Sequence, residues 1–512
     1  MKPHLDSTGI NMRRVRPAIH ALALCLCATA ASAQPVQNIA LRNSFDPLGA
    51  GARGLGMAGA FIAVADDGTA ATFNAAGLSL LRRTEIALVG FTESLSASVS
   101  RPGSPLLETA ISHRRPDFFG IAVPFDAGGH AMTIQLSYQR AVDLVGEGSA
   151  AVTERSALSE VHPALPPLEA EFVERVATEQ SGAFRTLSLS AGYEFTSRLS
   201  LGASLNYWFG DWRVNGSNQV TLVGALPSER GGSVAGKVFE LAFDQEQSMR
   251  AFSLSYGLLL KYPRLSIGGV ARLPFSSNYD LKEREVTDLL IPDGSGATQR
   301  TIKEFAVRSQ LRWPRRLGVG VALRPVGRLT LAADYVRSQW SRAVITDVPG
   351  GALLTDPDPL DAAGNPIPTF SDLNFFDLEA ASQTETRDTS EWRGGAEYLF
   401  VAKRLVVPLR AGLFRERSPI ADLGSDRGRR IEGFTLGSGL NFKHVVLDVT
   451  YERRNAEGDV GLRVNAQGEP AGDFARERVT ENRVVASLIY RFDDDDPLKR
   501  ALRFLFVGPK DE

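Results

Sequence analysis

The chain has 512 residues, of which 43% are hydrophobic and 23% are charged, and its formal net charge is −2. This near-neutral balance, without a basic stripe, disfavours nucleic acid as a partner. Both cysteines, Cys25 and Cys27, lie close to the amino terminus, so the rest of the chain is not a disulfide scaffold.

The first 33 residues have the pattern of a secretory signal peptide. Three arginines between positions 13 and 16 precede an apolar stretch at 21–30, which is too short to cross a bilayer. Ala31-Ser32-Ala33 then matches a small-residue cleavage site. We therefore predict cleavage near Ala33–Gln34 and export of the mature chain.

Fourteen later stretches alternate between apolar and small or polar residues with a period of two, which predicts β-strands. A clear example is Leu199–Tyr207, in which Leu201 and Leu205 share one face and Ser200 and Ser204 share the other. The predicted strands are 85–99, 118–125, 130–144, 183–195, 199–214, 248–262, 265–280, 304–324, 329–340, 391–400, 405–415, 432–442, 445–452 and 481–492.

The connections between these strands decide the fold class. Six very short turns alternate with seven long polar segments, which is typical of an outer-membrane barrel with tight turns at one rim and long loops at the other. A soluble sandwich also has alternating strands, but it does not need this asymmetry. We predict an all-β, 14-stranded antiparallel transmembrane β-barrel over residues 85–492, in the Gram-negative outer membrane.

Two local features refine this prediction. All five tryptophans lie in or beside predicted strands, and we interpret them, with the tyrosines and phenylalanines at strand ends, as the aromatic girdles of the membrane interfaces. Pro314 interrupts the long strand 304–324, and a proline there predicts a bulge or kink because it cannot donate a ladder hydrogen bond.

The segments outside the strands need separate interpretations. Residues 34–84 are rich in glycine and alanine and could hang in the periplasm or fold into the lumen as a plug. Small residues favour the plug because they pack closely against a barrel wall. Residues 493–512 are predicted to be a periplasmic tail.

Several motifs suggest chemistry that their context does not support. Gly54–Gly59 matches G-x-G-x-x-G but follows no strand, and Gly231–Lys237 lacks the serine or threonine of a phosphate loop. Three acidic residues in the longest loop could bind calcium, although the prolines between them favour a solvated loop. No histidine lies at a spacing that suggests a catalytic set. The acidic residues of this loop are Asp356, Asp358 and Asp361. We expect no enzyme activity, no cofactor and no structural metal.

Three short motifs in the amino-terminal segment resemble a known family. Residues 51–60, 65–67 and 74–78 are similar to the G-A-R-x-x-G-M-x-G-A, A-D-D and N-P-A-G-L motifs in the hatch of FadL-type outer-membrane transporters of long-chain fatty acids and other hydrophobic molecules. The chain departs from the family at position 75, where alanine replaces proline. The hatch residues that the resemblance singles out are Arg53, Gly56, Gly59, Asp66, Asp67, Asn74 and Ala75.

The resemblance implies passive uptake of long-chain fatty acids or hydrocarbons through an external apolar groove, a lumen pocket and a movable hatch. The groove would lie on loops 215–247 and 281–303, with a helix near 168–176 as a possible roof. Alternation places four arginines on the inner face, where they could orient a carboxylate or pair with acidic residues. The expected substrate contacts are Phe239, Leu241, Phe243, Leu289, Leu290, Ile291, Arg308, Arg312, Arg393 and Arg410.

The expected partners are therefore a hydrophobic small molecule, the outer-membrane lipid and lipopolysaccharide, and the chain is expected to be a monomer. A different class of function remains open from the sequence. The same barrel type could serve as a structural or secretion-accessory protein, which the alanine at position 75 and the additional tail would also fit.

Overall fold

The computed structural model describes residues 49–100, 107–157, 169–227, 233–290, 298–353, 373–374, 387–403, 405–421, 428–461 and 474–493. The predicted signal peptide, the tail beyond Asp493 and the acidic loop residues Asp356, Asp358 and Asp361 lie outside these ranges.

Antiparallel strands form one closed sheet, and the predicted 14-stranded barrel is confirmed. Each of the fourteen predicted stretches is a strand. Some barrel strands are interrupted, so the wall is divided into more segments than it has strands. These segments are β1 (Glu85–Ser100), β2 (Leu107–Ala127), β3 (His130–Asp143), β4 (Gly146–Ala157), β5 (Glu169–Glu194), β6 (Leu199–Pro227), β7 (Ser233–Lys261), β8 (Leu265–Arg272), β9 (Phe275–Leu290), β10 (Thr298–Trp313), β11 (Arg316–Val326), β12 (Leu329–Ser338), β13 (Val344–Leu353), β14 (Leu373–Asn374), β15 (Thr389–Ala402), β16 (Leu405–Ala421), β17 (Gly428–Asn441), β18 (Val445–Gly461) and β19 (Phe474–Arg491).

Pairing of the first and last strands closes the barrel. Glu85 of β1 lies opposite Arg491 of β19, and the Nε atom of Arg491 donates a hydrogen bond of 2.8 Å to Glu85. The six short turns lie at this same rim, as the sequence predicted. At the opposite rim the strands extend much further than predicted. β6 continues to Pro227, and β7 begins at Ser233, so most of the predicted loop 215–247 is strand.

Extension of the strands also corrects the predicted helix near residue 170. Residues 169–194 are strand β5, and the apolar residues at 172, 173 and 176 belong to its ladder with β6. The helical spacing was misleading because a strand that leaves the membrane no longer has one uniformly apolar face.

The chemistry of the two barrel faces changes along each strand. In β6 the outer face carries the exposed Leu201 and Leu205 and then Asp211, which is also exposed. The inner face changes in the opposite sense, from Ser204 to the buried Trp208 and Trp212. An apolar outer face suits lipid and a polar one suits water, so this change marks the upper edge of the membrane-spanning part.

The kink predicted at Pro314 is present. β10 ends at Trp313, and β11 begins at Arg316. Odd-numbered residues such as Trp313 are buried before the break, whereas Leu317 and Val319 are exposed after it. The alternation therefore changes phase at the proline, and Leu273–Pro274 separates β8 from β9 in the same way.

The interpretation of the tryptophans as girdle residues is wrong for four of the five. Trp208, Trp212, Trp313 and Trp340 are buried inside the barrel, and only Trp392 points outward, with 59% of its surface exposed. Exposed rings do lie at the short-turn rim, as expected for a girdle. They include Phe195, Tyr262, Phe400 and Phe442.

The amino-terminal segment, residues 49–84, lies inside the barrel and is called the hatch below. It contains one short helix, α1 (Ala52–Gly56), and the 3₁₀ helices Ala70–Thr72 and Ala75–Leu80. Most hatch residues are buried against the wall. Of the helices that the structure describes, none has the length and apolar character to cross a membrane.

Candidate functional site

Wall side chains hold the hatch backbone on one side of the lumen. Thr435 of β17 donates a hydrogen bond of 2.9 Å to the carbonyl oxygen of Gly56 and accepts one of 3.1 Å from the amide of Ala58. Asp334 of β12 accepts hydrogen bonds of 2.8 and 2.9 Å from the backbone amides of residues 61 and 62. These bonds fix the first part of the hatch against β12 and β17.

The opposite wall holds the second part of the hatch. Gln135 of β3 donates a hydrogen bond of 2.6 Å to the carbonyl oxygen of Gly68. The hydroxyl group of Ser79 donates one of 2.8 Å to Ser200 of β6. The hatch is therefore bonded to both sides of the barrel.

Arg53 is the main charged anchor of the hatch. Its Nε and Nη2 atoms donate hydrogen bonds of 3.1 and 3.2 Å to the carboxylate of Glu397 on β15, and its Nη1 atom contacts Asp66 and Asp67. Burial lowers the pKa of Arg53, but the carboxylates of Asp66 and Glu397 outweigh this effect and raise it well above its usual value. Glu397 also accepts a hydrogen bond of 2.7 Å from Arg410.

Inward-facing glycines let the hatch backbone touch the wall. Gly192, Gly202 and Gly257 lie side by side on β5, β6 and β7, and Gly395 and Gly412 lie opposite each other on β15 and β16. A Cβ atom on any of these five, called the glycine belt below, would lie 2.1–2.6 Å from the nearest hatch atom. No larger residue fits without moving the hatch.

Asn74 shows how the hatch tolerates the alanine that replaces the family proline. Its side chain accepts a hydrogen bond of 3.1 Å from the amide of Ala76 and caps the 3₁₀ helix that Ala75 begins. Its Nδ2 atom donates hydrogen bonds of 2.8 and 3.0 Å to the carbonyl oxygens of Ile62 and Leu258. The local geometry is thus set by the asparagine and does not need a proline.

Restoring the proline is expected to stabilise the hatch slightly. Ala75 is the first helical residue, where the backbone amide has no partner within the helix, and Asn74 has the extended backbone conformation that precedes proline (φ −157°, ψ 107°). Ala75→Pro should raise the free energy of unfolding by ~0.4–1 kcal/mol because the unfolded chain loses conformational freedom. Urea titration in lipid vesicles would measure this change, and a loss of more than ~1 kcal/mol would contradict the prediction.

The inner face of β15–β19 is a wall of paired charges. Arg393 donates hydrogen bonds of 2.8 Å to both Glu391 and Glu416. Arg454 contacts Glu416 and donates one of 3.1 Å to Glu452. These charges neutralise one another, as buried charges must.

Two of the four arginines predicted as ligand contacts do lie on the inner face, namely Arg393 and Arg410, and both are buried. Carboxylates already bind both, and Arg393 also donates a hydrogen bond of 3.0 Å to the hatch carbonyl oxygen of Ala58.

The inward placement of the other two arginines is wrong. Arg308 points outward with 68% of its side chain exposed and pairs with Asp280, and Arg312 is also exposed. Both precede Pro314, so the phase change at that residue moves them to the outer face.

The apolar residues that we expected on external loops lie instead on strands. Phe239, Leu241 and Phe243 belong to β7, and Phe239 is buried. Leu289 pairs with Phe239 across the β7–β9 ladder. Leu290 ends β9, but its side chain and Ile291 lie outside what the structure describes.

An aromatic cluster fills the lumen above the hatch. The rings of Trp208, Phe275 and Trp313 are stacked with centroids 5.6–5.9 Å apart, and Trp340 packs edge-on against Trp313. The indole nitrogen atoms of Trp208 and Trp313 donate hydrogen bonds to wall serines, at 2.9 and 3.1 Å. These bonds hold the two indole rings in place within the buried cluster.

A cavity of about 150 Å³ lies beneath Trp208, between the hatch and the barrel wall. The hatch supplies Phe73, Asn74 and Ile62, and the wall supplies mainly hydroxyl and amide side chains from β3, β5, β6 and β7. The lining of the cavity is therefore mixed, with polar and apolar side chains. The wall residues include Ser137, Gln139, Thr186, Ser188, Ser190, Ser204 and Asn206.

Comparison with known proteins identifies the fold. No family model and no curated protein match the chain. Among solved structures, a Pseudomonas aeruginosa FadL homologue is similar, with a TM-score of 0.53 and 16% identity over 86% of this chain and 98% of that one. The P. putida toluene transporter TodX has a TM-score of 0.52 and 14% identity, and covers 87% of this chain and 99% of its own. The CymD monoaromatic hydrocarbon channel has a TM-score of 0.50 and 15% identity, and the match covers 88% of this chain and 100% of that one.

The chain has the FadL-type fold.

Three of the hatch residues named from the sequence have close contacts inside this FadL-type fold. Gly59 has a positive φ of 76° and lies beside Arg393, and Gly56 packs against Gly437. Asp67 is buried and accepts hydrogen bonds from the backbone and hydroxyl of Thr69. The glycine belt and the hydroxyl-lined wall were not predicted from the sequence, although both lie at the inner positions of the predicted alternation.

Proposed function

We propose that the protein is an outer-membrane channel for the passive uptake of hydrophobic small molecules, with its short-turn rim in the periplasm. The observation that carries this proposal is the aromatic cluster of Trp208, Phe275, Trp313 and Trp340 directly above the cavity and the hatch. Two similar structures are named as a toluene transporter and a monoaromatic hydrocarbon channel, and these names support the same class of substrate.

The physical basis is transfer of apolar surface out of water. Each Å² of apolar ligand surface buried against the aromatic faces lowers the free energy by ~25 cal/mol, so a hydrophobic molecule concentrates in the lumen without an energy source. The strand extensions above the membrane continue the apolar inner face of the cluster, with Val214, Val220 and Phe239 buried there. They would guide a molecule from outside toward the cluster.

The hatch is the barrier on the periplasmic side in this proposal. Hydrogen bonds, ion pairs and buried apolar side chains such as Met57 and Leu78 hold it against the wall. A shift of the hatch, or a local opening beside it, would release the molecule. The lipid and lipopolysaccharide contacts and the monomeric state expected from the sequence are part of this proposal.

Binding to the purified protein tests the proposal. Toluene and palmitate should each change the tryptophan fluorescence of the detergent-solubilised protein in a saturable manner. Failure of both ligands to bind, together with normal growth of a deletion strain on such compounds, would contradict the proposal and favour a structural or secretion-accessory role.

Removal of one stacked ring should weaken binding. Trp313→Ala is expected to raise the Kd for toluene at least ten-fold, because the cluster that receives the ligand loses its central ring. Trp392→Ala is the matched control, because Trp392 faces outward. The Kd of this variant for toluene should stay within two-fold of the value for the original protein. Phe275→Leu is a milder variant to use if Trp313→Ala does not fold, and equal effects at positions 313 and 392 would contradict the placement of the site.

A further inference from the structure

The wall of the cavity contains two buried hydroxyl groups that need a partner. Ser190 of β5 and Ser204 of β6 lie directly opposite each other in the ladder, and only 1% and 4% of their surfaces are exposed. Both line the cavity, and neither Oγ atom has a hydrogen-bond partner among the described residues. A buried hydroxyl without a partner is unfavourable, so a polar group in the cavity is expected to satisfy these two.

The same wall of the cavity also carries a cation and an aromatic ring, because the ladder places Arg272 in one row with Ser190 and Ser204. The guanidinium group of Arg272 lies 5.9 Å from the ring of Trp208, and both side chains line the cavity. Arg316 also lines it, while the one carboxylate of the lining, Asp334, already accepts two hatch amides. A molecule in the cavity would therefore meet hydroxyl groups, a positive charge and an aromatic ring.

The size of the cavity limits the molecule. A cavity of about 150 Å³ is smaller than the ~300–1,000 Å³ of pockets that hold drug-sized ligands. It is comparable with the ~150 Å³ cavity engineered in another protein, which holds one benzene molecule when its lining is apolar. One aromatic ring fits this volume.

We infer that the cavity is a binding site for single-ring aromatic compounds that carry an oxygen substituent, namely phenols and benzoic acids. This inference rests on the proposed uptake function and specifies its substrate class. The ring packs under Trp208, a hydroxyl substituent bonds to Ser190 and Ser204, and a carboxylate faces Arg272. A ring without oxygen leaves these polar groups unsatisfied and binds more weakly.

A pair of isosteric ligands tests the inference. p-Cresol and p-xylene differ by a hydroxyl group in place of a methyl group, and titration calorimetry on the detergent-solubilised protein would give both Kd values. We expect p-cresol to bind at least ten-fold more tightly. In the double variant Ser190→Ala/Ser204→Ala this preference should fall below three-fold.

Two further variants separate the contributions. Ser487→Ala removes a buried inward serine of β19 that does not line the cavity, and it should keep the ten-fold preference. Arg272→Gln should weaken the binding of benzoate at least ten-fold and that of toluene less than three-fold. Folding of the double variant is judged by its heat-modifiable migration on a gel. If it does not fold, the inference is tested by the p-cresol preference of the original protein and by the loss of that preference in Ser204→Ala.

The possible failures are distinct. If p-xylene binds as tightly as p-cresol while toluene and palmitate bind saturably, uptake of hydrophobic molecules stands and the inference is wrong. The same follows if the preference persists in the double variant, because water alone then satisfies the two serines. If none of the four ligands binds, the proposed function itself fails.

Discussion

Valine at Gly395 is expected to displace the hatch and to open the channel. A Cβ atom at this position would lie 2.4 Å from the carbonyl oxygen and 2.6 Å from the Cβ of Met57, which is a distance that real atoms do not reach. The hatch backbone must therefore move away from β15, and the hydrogen bonds that hold it near residues 56–62 must stretch or break. We expect a steady ionic current through Gly395→Val in planar bilayers and no such current through the original protein.

The neighbouring glycine is the control for this experiment. Gly394 lies beside Gly395 on β15, and a Cβ atom there would have no described atom within 4 Å. Gly394→Val should stay closed and change the free energy of unfolding by less than ~0.5 kcal/mol, whereas Gly395→Val should lose ~1–3 kcal/mol through overpacking. Indistinguishable currents from the two variants would show that the hatch does not rest on the glycine belt.

Loss of the guanidinium group of Arg410 is expected to have the largest effect on stability. Arg410 donates hydrogen bonds of 2.7 Å to Glu397 and 2.6 Å to Asp448, and all three side chains are buried. Arg410→Met would leave the carboxylates of Glu397 and Asp448 buried in the barrel with less positive charge to neutralise them. Breaking a buried pair in this way typically costs ~3–5 kcal/mol, and Arg53, which also contacts Glu397, would lose an ordered partner.

Arg415, on the same strand, provides the matched comparison. It donates a hydrogen bond to Glu432, but more than half of its side chain is exposed. Arg415→Met should cost less than ~1 kcal/mol because water screens an exposed pair. Urea titration in lipid vesicles would measure both variants. Equal losses of unfolding free energy in the two variants would mean that the Arg410 cluster is solvated in the working protein. Partial recovery of this free energy in Arg410→Met/Asp448→Asn would support the argument that the charges are buried.

The membrane-spanning strands were predictable because lipid imposes a simple rule on their outer faces. Residues such as Leu201 and Leu205 must be apolar, and their neighbours Ser200 and Ser204 need not be. The period of two is therefore strong within the membrane. It fails as a guide above the membrane, where both β6 and β7 continue with water outside and an apolar cluster inside. The extensions consequently looked like loops.

The tryptophans show a different reason for error. The alternation in Leu199–Tyr207 already placed Trp208 on the inner face, but residue type suggested a membrane girdle. Its position was decided by the aromatic cluster, in which the rings of Phe275 and Trp313 come from strands far along the chain. Contacts between such distant segments have no local signal in the sequence.

The candidate site was predictable only in its hatch. Residues such as Arg53 and Asn74 are part of a contiguous motif, so the sequence alone identified them. The cavity, in contrast, is assembled from side chains of at least four strands and the hatch. Ser190 and Ser204 became neighbours only through the β5–β6 register, which depends on the turn between the two strands.

The amino-acid sequence by itself determined the barrel, its strand number and the presence of a hatch, because each depends on local alternation, on turn length or on a contiguous motif. The tertiary structure alone decided which arginines face the lumen, where the aromatic rings meet and which hydroxyl groups line the cavity. The physical reason is that a proline break such as the one at Pro314 reverses the faces of a strand. The closed hydrogen-bond ladder then fixes which side chains meet across the lumen.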